Sequence, residues 1–273
     1  MTLLVATDFS PASLNAVNYA INLATALNAH IVLTHVYNLP VPISSGSSLA
    51  LSMEELKHSS GSMLEELKAR LIQSTAGSLN ISTDARMGDK VDELVKICES
   101  INPFVIIMGP LGLTGLELLI LGSTALTSIH KLKYPVMVVP IEAVYTPIKK
   151  IGLACDFEDA ASYLPINFVK TLTKELHAQL HILNVENFRG QYGKTIENEI
   201  AELEGLLGNI VPVFHFLEAG DVTEGIINFS KKNELDILVT APRKHNILGN
   251  LFQQTNTKRF LRHSHIPIIA AHK

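Results

Sequence analysis

The chain has 273 residues, of which 47% are hydrophobic and 18% are charged, and its formal net charge is −4 at pH 7. This length accommodates two ordinary domains, and the apolar composition excludes a disordered or fibrous protein. The slightly negative charge and the absence of tryptophan argue against a nucleic-acid partner or an anionic membrane surface.

The amino terminus lacks the features of a signal peptide, because Met1 leads directly into the strand-like segment 3–6. An apolar stretch at 104–126 contains several glycines and a proline, which indicates a buried strand, a glycine loop and a helix start rather than a membrane span. The two cysteines have no CxxC spacing, which favours a reducing compartment. We therefore expect a cytoplasmic protein without a membrane partner.

Apolar periodicity predicts alternating strands and helices along the whole chain. In the first half we predict strands at 3–7, 31–36, 80–86, 104–108 and 135–139, and helices at 11–28, 53–75, 90–101 and 122–132. In the second half we predict strands at 150–155, 179–185, 211–216, 236–240 and 266–271, and helices at 159–177, 194–208, 222–233 and 254–263. This alternation implies an α/β fold with parallel crossovers, in two tandem doubly wound, Rossmann-like sheets.

The two halves are similar in sequence. The segment 4–9 recurs at 153–157, with Asp8 matching Asp156, and the pair Gly88-Asp89 recurs as Gly220-Asp221. We expect both aspartates after glycine to be helix N-caps, and the lone Cys98 and Cys155 to be small buried residues.

An insert at 37–52 in the first half is rich in proline, serine and glycine, which indicates an exposed loop. The segment 141–150 has the character of a linker, with prolines and paired lysines. We predict two α/β domains of common ancestry at 1–144 and 145–273.

The carboxyl ends of the strands are where doubly wound sheets bind ligands. Asp8 and Val36 follow or end the first two predicted strands, and Met108 ends the fourth. The fourth strand continues into a Gly-x2-Gly-x9-Gly-Ser segment formed by Gly109, Gly112, Gly122 and Ser123. Glycines let backbone N–H groups approach an anion, and a helix start favours negative charge, so this segment predicts phosphate binding.

This glycine spacing resembles the nucleotide loop of the universal stress protein family. The flanking residues agree: an aspartate after the first strand, Gly88-Asp89 before the third helix, and Pro-Val-Met-Val-Val-Pro at 135–140. The resemblance covers both halves and implies domains of the adenine-nucleotide alpha-hydrolase-like type. It also implies ATP as the ligand, with or without Mg²⁺.

The resemblance further implies a role for each residue of the site. Asp8 contacts the ribose or the adenine, and Val36 and Met108 line the base, beside Ala6 and Thr7 at the end of the first strand. The phosphates are held by Gly109, Gly112, Gly122, Ser123 and Thr124. The alternative interpretation is a structural glycine-rich connection with Ser123 as an N-cap.

The loop at 109–124 contains no lysine or arginine, and Pro110 removes one backbone N–H. We therefore expect the loop to offer the phosphates no cation of its own and to bind them weakly unless a metal assists.

The second half departs from this pattern. The positions that match the glycines and Ser123 are Ala241, Lys244, Gln254 and Thr255, so we expect ATP in the first half only. The carboxyl-terminal segment is instead basic, with Arg243, Lys244, Lys258, Arg259, Arg262, Lys273, His245, His263 and His265. It is either a solvated face or a surface that docks an anion or an unidentified protein partner, and metal ligation by the histidines is the least favoured interpretation.

Motifs of adenylating enzymes, nucleotidyl transferases, Walker-type NTPases and nucleophile-elbow hydrolases do not occur in the sequence. We therefore predict a nucleotide-binding stress-response protein that acts as a ligand-dependent regulator, without catalytic residues. An interaction protein of the same fold that binds no nucleotide and a slow ATPase remain as alternatives.

The last predicted strands of the two halves, 135–139 and 266–271, are short and apolar and would be exposed sheet edges unless covered. Single-domain members of the resembled family pair through this strand. We therefore predict that the two strands lie side by side in an intramolecular pseudo-dimer, and further pairing between chains stays open.

Overall fold

The computed structural model describes residues 1–38, 53–110, 123–157, 159–186, 195–241 and 264–273. The strands in these ranges are β1 (Thr2–Ala6), β2 (His30–Tyr37), β3 (Ile81–Met87), β4 (Val105–Met108), β5 (Val136–Val138), β6 (Lys150–Ala154), β7 (Gln179–Glu186), β8 (Val213–Glu218), β9 (Ile237–Thr240) and β10 (Ile268–Ala270). The helices are α1 (Pro11–Leu27), α2 (Met53–Ser74), α3 (Lys90–Ile101), α4 (Ser123–Lys131), α5 (Ala160–Tyr163), α6 (Ile166–Glu175), α7 (Thr195–Leu207) and α8 (Val222–Lys232). None of these helices is both long and apolar enough to cross a membrane.

These strands form one sheet in the order β3-β2-β1-β4-β5-β10-β9-β6-β7-β8. Neighbouring strands are parallel throughout, except for the antiparallel pair β5 and β10. Each half therefore has a doubly wound order that reverses next to its first strand, between β1 and β4 and between β6 and β9. The predicted fold class is confirmed.

The central antiparallel pair joins the two halves. Val138 lies opposite Ile268, Met137 opposite Ile269, and Val136 opposite Ala270, as the register of the two strands shows. Each of these side chains is at most 1% exposed. The prediction that the two final strands lie side by side is confirmed, and their pairing removes an edge that would otherwise invite aggregation.

Apolar side chains cover both faces of the sheet, as the continuously apolar strands predict. One buried cluster packs the sheet against α1, α2, α6 and α7, and the other packs it against α3, α4 and α8. Both clusters contain residues of both halves, so the core is continuous across the β5–β10 pair.

The helix predicted at 159–177 is wrong as a single element, because it is divided into α5 and α6. Pro165 has no backbone N–H, and the residue before a proline avoids the helical region. Leu164 accordingly has φ −69° and ψ 138°, which is extended backbone. The matching helix α1 is continuous, since its proline stands at the first position, where a free N–H is not needed.

Other sequence-based boundaries lie within two residues of the observed ones. The strand predicted at 211–216 is shifted to Val213–Glu218, because Pro212 cannot donate to the ladder. The helix predicted at 254–263 and most of the insert at 37–52 lie outside the described residues.

The predicted caps and buried thiols are confirmed. Asp89 accepts hydrogen bonds from the N–H groups of Val91 and Asp92, and Asp221 accepts one from Glu224 N–H. Cys98 and Cys155 are buried, and burial raises the pKa of each thiol to about 12. A thiol with such a pKa is not a reactive thiolate at neutral pH.

A stacked histidine pair joins β7 to β8. The ring nitrogens of His181 and His215 are hydrogen-bonded at 2.9 Å, and the ring of His215 also contacts Phe229 of α8. Burial lowers the pKa of both imidazoles, and for His181 the neighbouring His215 and Lys150 lower it further. The pair is therefore held neutral in the folded chain.

We expect the protein to lose stability in mild acid because of this pair. Histidines of the unfolded chain take up protons below their ordinary pKa of 6.5, whereas His181 and His215 resist protonation until a lower pH. Their contribution to the free energy of unfolding is thus complete above pH 6.5. It is lost as the pH falls through the pKa values of the two histidines in the folded chain. Urea unfolding at about pH 7.5 and about pH 5.5 measures the loss. His215→Phe should reduce this loss of stability between the two pH values. The control His58→Gln, on the exposed face of α2, should leave the loss unchanged.

Candidate functional site

A cleft opens at the carboxyl ends of β1, β2 and β4, beside the point where the strand order of the first half reverses. Its volume is about 550 Å³, including the part that is open to solvent. The position is the one that doubly wound sheets use for ligands. The residues that line it are Ala6, Thr7, Asp8, Ser13, Thr34, Val36, Lys90, Leu94, Met108, Gly109, Pro110, Thr124 and Ala125.

Most of the site residues predicted from the sequence come together in this cleft. Those that line it are Ala6, Thr7, Asp8, Val36, Met108, Gly109 and Thr124. Ser123 begins α4, next to Thr124. Gly112 and Gly122 lie outside the described residues. Their contacts with a ligand stay a prediction.

The turn after β1 holds Asp8 in place. Phe9 has a φ of 62°, a left-handed conformation that turns the chain sharply between β1 and α1. The Thr7 and Ser13 hydroxyls are hydrogen-bonded to each other at 3.0 Å, and Phe9 N–H donates to the Thr7 hydroxyl at 3.0 Å. Ser10 N–H donates to Asp8 Oδ1 at 3.0 Å. The carboxylate is therefore oriented by backbone and hydroxyl groups before any ligand arrives.

The Asp8 carboxyl is held in its charged form. Partial burial raises its pKa, but hydrogen bonds from the side chain and backbone of Ser10 and from the Ser13 side chain oppose this, together with the charge of Lys90. The net effect places the pKa of Asp8 below its ordinary value. Asp8 is thus a hydrogen-bond acceptor at neutral pH, which suits the hydroxyls of a sugar or the amino group of a base.

Gly109 has a steric role of its own. A Cβ atom at this position would lie 2.8 Å from the Ala12 carbonyl carbon and oxygen and 3.0 Å from Ser13 N. Because these atoms belong to the backbone of α1, they cannot move aside as a flexible side chain would. The absence of a side chain lets the end of β4 touch the first turn of α1, which closes one wall of the cleft.

Lys90 supplies the site with the cation that the glycine loop lacks. It is the first residue of α3 and lines the cleft, although it is remote in sequence from the glycine loop. Sequence reasoning also missed Ser13, Thr34 and Leu94. The signal for Lys90 is its place directly after Gly88-Asp89, because a helix that follows a parallel strand begins at the carboxyl edge of the sheet.

The cleft has one apolar wall and a separate set of polar groups. Val36 and Met108 are buried and, with Leu94 of α3, form an apolar wall. The hydroxyls of Thr7, Ser13, Thr34 and Thr124, together with Asp8 and Lys90, supply the polar groups. An apolar wall with a few oriented polar groups suits a ligand that combines a flat ring with a polar, charged part.

The matching place in the second half is arranged differently. Tyr163 donates its hydroxyl proton to Asp156 Oδ1 at 2.7 Å and accepts a hydrogen bond from Asp156 N–H at 3.2 Å. Ala241, at the position of Gly109, is 5% exposed, so a methyl group is accommodated here. The carboxylate that matches Asp8 is therefore engaged by a side chain of its own half.

The basic segment of the second half lies largely outside the described residues. The exceptions are His265 and Lys273, and Lys273 Nζ donates to the Ala161 carbonyl at 2.7 Å. In the part of the chain that the structure describes, three or more side chains of the metal-binding types do not cluster anywhere. The interpretation of this segment stays a prediction.

The sequence and fold are similar to those of known proteins. The universal stress protein family profile matches residues 1–140. A universal stress protein of Methanocaldococcus jannaschii is 31% identical over 139 residues, which make up 50% of this chain and 80% of that protein.

Two solved structures are also similar. A universal stress protein from Archaeoglobus fulgidus has a TM-score of 0.74 at 20% identity, covering 99% of this chain and 97% of that chain. It shows the same fold over both halves. A universal stress protein solved in complex with cAMP is 28% identical, covers 51% of this chain and 96% of its own, and has a TM-score of 0.39.

Proposed function

Because the chain belongs to the universal stress protein family, we propose that its first half binds one adenine nucleotide, such as ATP. The bound nucleotide serves as a regulatory ligand of a stress-response protein rather than as the substrate of a fast enzyme. The observation that carries this proposal is the convergence of seven predicted contact residues on one cleft at the carboxyl ends of β1, β2 and β4.

The cleft has groups for each part of an adenine nucleotide. Val36 and Met108 offer an apolar wall to the base, and the charged Asp8 offers an acceptor to the ribose hydroxyls or the adenine amino group. Thr124, in the first turn of α4, lies where free N–H groups and the helix dipole favour phosphate. Mg²⁺ binds oxygen ligands, and Asp8 is the one carboxylate of the described lining. If Mg²⁺ accompanies the nucleotide, we therefore expect the phosphates rather than the protein to supply most of its ligands.

We assign binding to the first half only. In the second half Tyr163 engages Asp156, and Ala241 replaces Gly109. Both differences act against a ligand at that place, because the acceptor is engaged and the glycine that lets backbone approach closely is replaced. The second half then contributes to partner contacts rather than to a second nucleotide site.

Regulation rather than turnover is supported by the chemistry of the cleft. The described lining contains one carboxylate and no histidine or cysteine, so Asp8 is its one acidic side chain that could act as a general base. Asp8 is turned toward its own loop by Ser10 N–H and is kept at low pKa, which makes it a poor general base at neutral pH.

We also propose that the halves, divided at 144/145, form a pseudo-dimer within one chain. The β5–β10 pair supports it, and so does the contact between Phe104, before β4, and Phe168 of α6, with ring centroids 4.8 Å apart. The connecting segment is also held, because the Asn15 amide donates to the carbonyls of Pro140 and Ala143.

Calorimetric titration of the full chain with ATP tests the assignment to the first half. We expect one site per chain and an affinity at least about tenfold weaker in Asp8→Asn, because a charge-assisted hydrogen bond is worth about 1.5–3 kcal/mol. Asp156→Asn is the matched control, since it changes the same residue type at the same place in the other half. Two equivalent sites, or an equal loss in Asp156→Asn, would overturn the assignment.

A further inference from the structure

Charge balance distinguishes Lys90 among the residues of the cleft. Two charged side chains line the described part of the cleft, the Asp8 carboxylate and the Lys90 ammonium. Without Lys90 the lining would carry only negative charge and would repel a phosphate group. With Lys90 it is neutral, and a ligand phosphate that enters the cleft meets an attractive partner.

The acidic residues near Lys90 in the sequence are engaged elsewhere. Asp89 caps the N-terminus of α3, Glu93 pairs with Lys96, and Asp92 lies 3.9 Å from Lys131. No acidic group of the described residues lies within ion-pair distance of Lys90. Lys90, a partly buried residue, is thus left available to a ligand in the cleft.

Lys90 also occupies a position that is unfavourable for helix stability. It is the first residue of α3, where the helix dipole disfavours a positive charge, and the acidic Asp92 and Glu93 stand in the same turn. The helix dipole and the cap therefore do not account for a lysine here, whereas attraction of an anion to the cleft does.

We propose that Lys90 is the residue that makes this cleft select a phosphorylated ligand over the corresponding unphosphorylated nucleoside. This inference rests on the proposed function and adds a selectivity determinant to it, from a helix that the glycine loop does not include. The ammonium attracts the phosphate charge and offsets the negative field of Asp8, while the apolar wall around Val36 contacts the uncharged part of the ligand.

The test compares ATP with adenosine in four full-length proteins: wild type, Lys90→Met, Lys90→Arg and Lys133→Met. Lys133→Met is the matched control, because it removes one positive charge at an exposed position. Lys133 lies before the amino end of β5, whereas the cleft lies at the carboxyl ends of the strands. We expect Lys90→Met to weaken ATP about tenfold or more and adenosine by less than about twofold. Lys90→Arg should keep most of the ATP affinity, and Lys133→Met should keep all of it. Raised salt should weaken ATP binding more in the wild type than in Lys90→Met.

The outcomes separate this inference from the function on which it rests. Equal ATP affinity in the wild type and Lys90→Met overturns the role of Lys90 and leaves nucleotide binding intact. A parallel loss of ATP and adenosine in Lys90→Met also overturns it, because the residue would then support the shape of the cleft. If the wild type binds neither ligand, the proposed function itself fails. Thermal unfolding of Lys90→Met should match or slightly exceed the wild type, since a cation is removed from a helix N-terminus.

Discussion

Replacing Val138 and Ile268 together with lysine should break the connection between the two halves. The two residues lie directly opposite each other in the β5–β10 pair, and each is 1% exposed. Two ammonium groups at this place would be desolvated and would repel each other, at a cost of several kcal/mol, on the order of 5. Calorimetric unfolding should change from one cooperative transition to a lower, divided one, because the continuous core is interrupted.

The connecting segment provides both a second readout and a control. Limited proteolysis at 141–149 should accelerate in the double variant, since separated halves no longer protect this segment. Val144→Lys places the same charge in the same region at a side chain that is 80% exposed, and should leave unfolding unchanged. A double variant that unfolds in one transition at the wild-type temperature would show that the strand pair does not hold the halves together.

Gly109→Ala should destabilise the first half and weaken nucleotide binding together. The added methyl group would lie 2.8 Å from backbone atoms of Ala12, so the start of α1 must move away from β4. Overpacking of this kind costs about 1–3 kcal/mol. The same movement displaces the turn that orients Asp8, which explains why ATP affinity should fall as well.

Gly61→Ala is the control of opposite sign. Gly61 lies within α2, and a Cβ atom there would meet nothing within 4 Å. Alanine in a helix interior is favoured over glycine by about 0.5–1 kcal/mol, so this variant should be slightly more stable than the wild type. Urea unfolding and ATP titration of the two variants measure both effects. If Gly109→Ala is as stable as the wild type and binds ATP equally well, β4 and α1 do not need this close approach.

Much of the fold follows from local pattern in the sequence. Continuously apolar runs separated by amphipathic helices predict the parallel sheet, and the short uncharged strands at the ends of the two halves predict their pairing. The break between α5 and α6 was equally readable, because Pro165 and its effect on Leu164 are local.

The site is less evident from sequence because it depends on which chain segments meet. Asp8, Val36 and Met108 could be placed, since each lies at the carboxyl end of a strand. The place of Lys90 after Gly88-Asp89 puts it at the same edge of the sheet, but only the packing of α3 beside β2 and α4 brings it into the cleft. Tyr163 likewise gives no signal in the sequence that its hydroxyl engages Asp156. The glycine motif predicts that Gly109 contacts a phosphate. The structure adds a second reason for glycine at this position, the close contact with the backbone of α1, which the motif alone does not reveal.

A crystal structure of the full chain grown with ATP tests the central claim most directly. The account predicts electron density for one nucleotide per chain, in the first-half cleft, with the base against Val36 and Met108 and the phosphates toward Thr124 and Lys90. It predicts no nucleotide density beside Asp156, where Tyr163 keeps its hydrogen bond. Nucleotide density in the second half alone, or an equally occupied pair of sites, would contradict it.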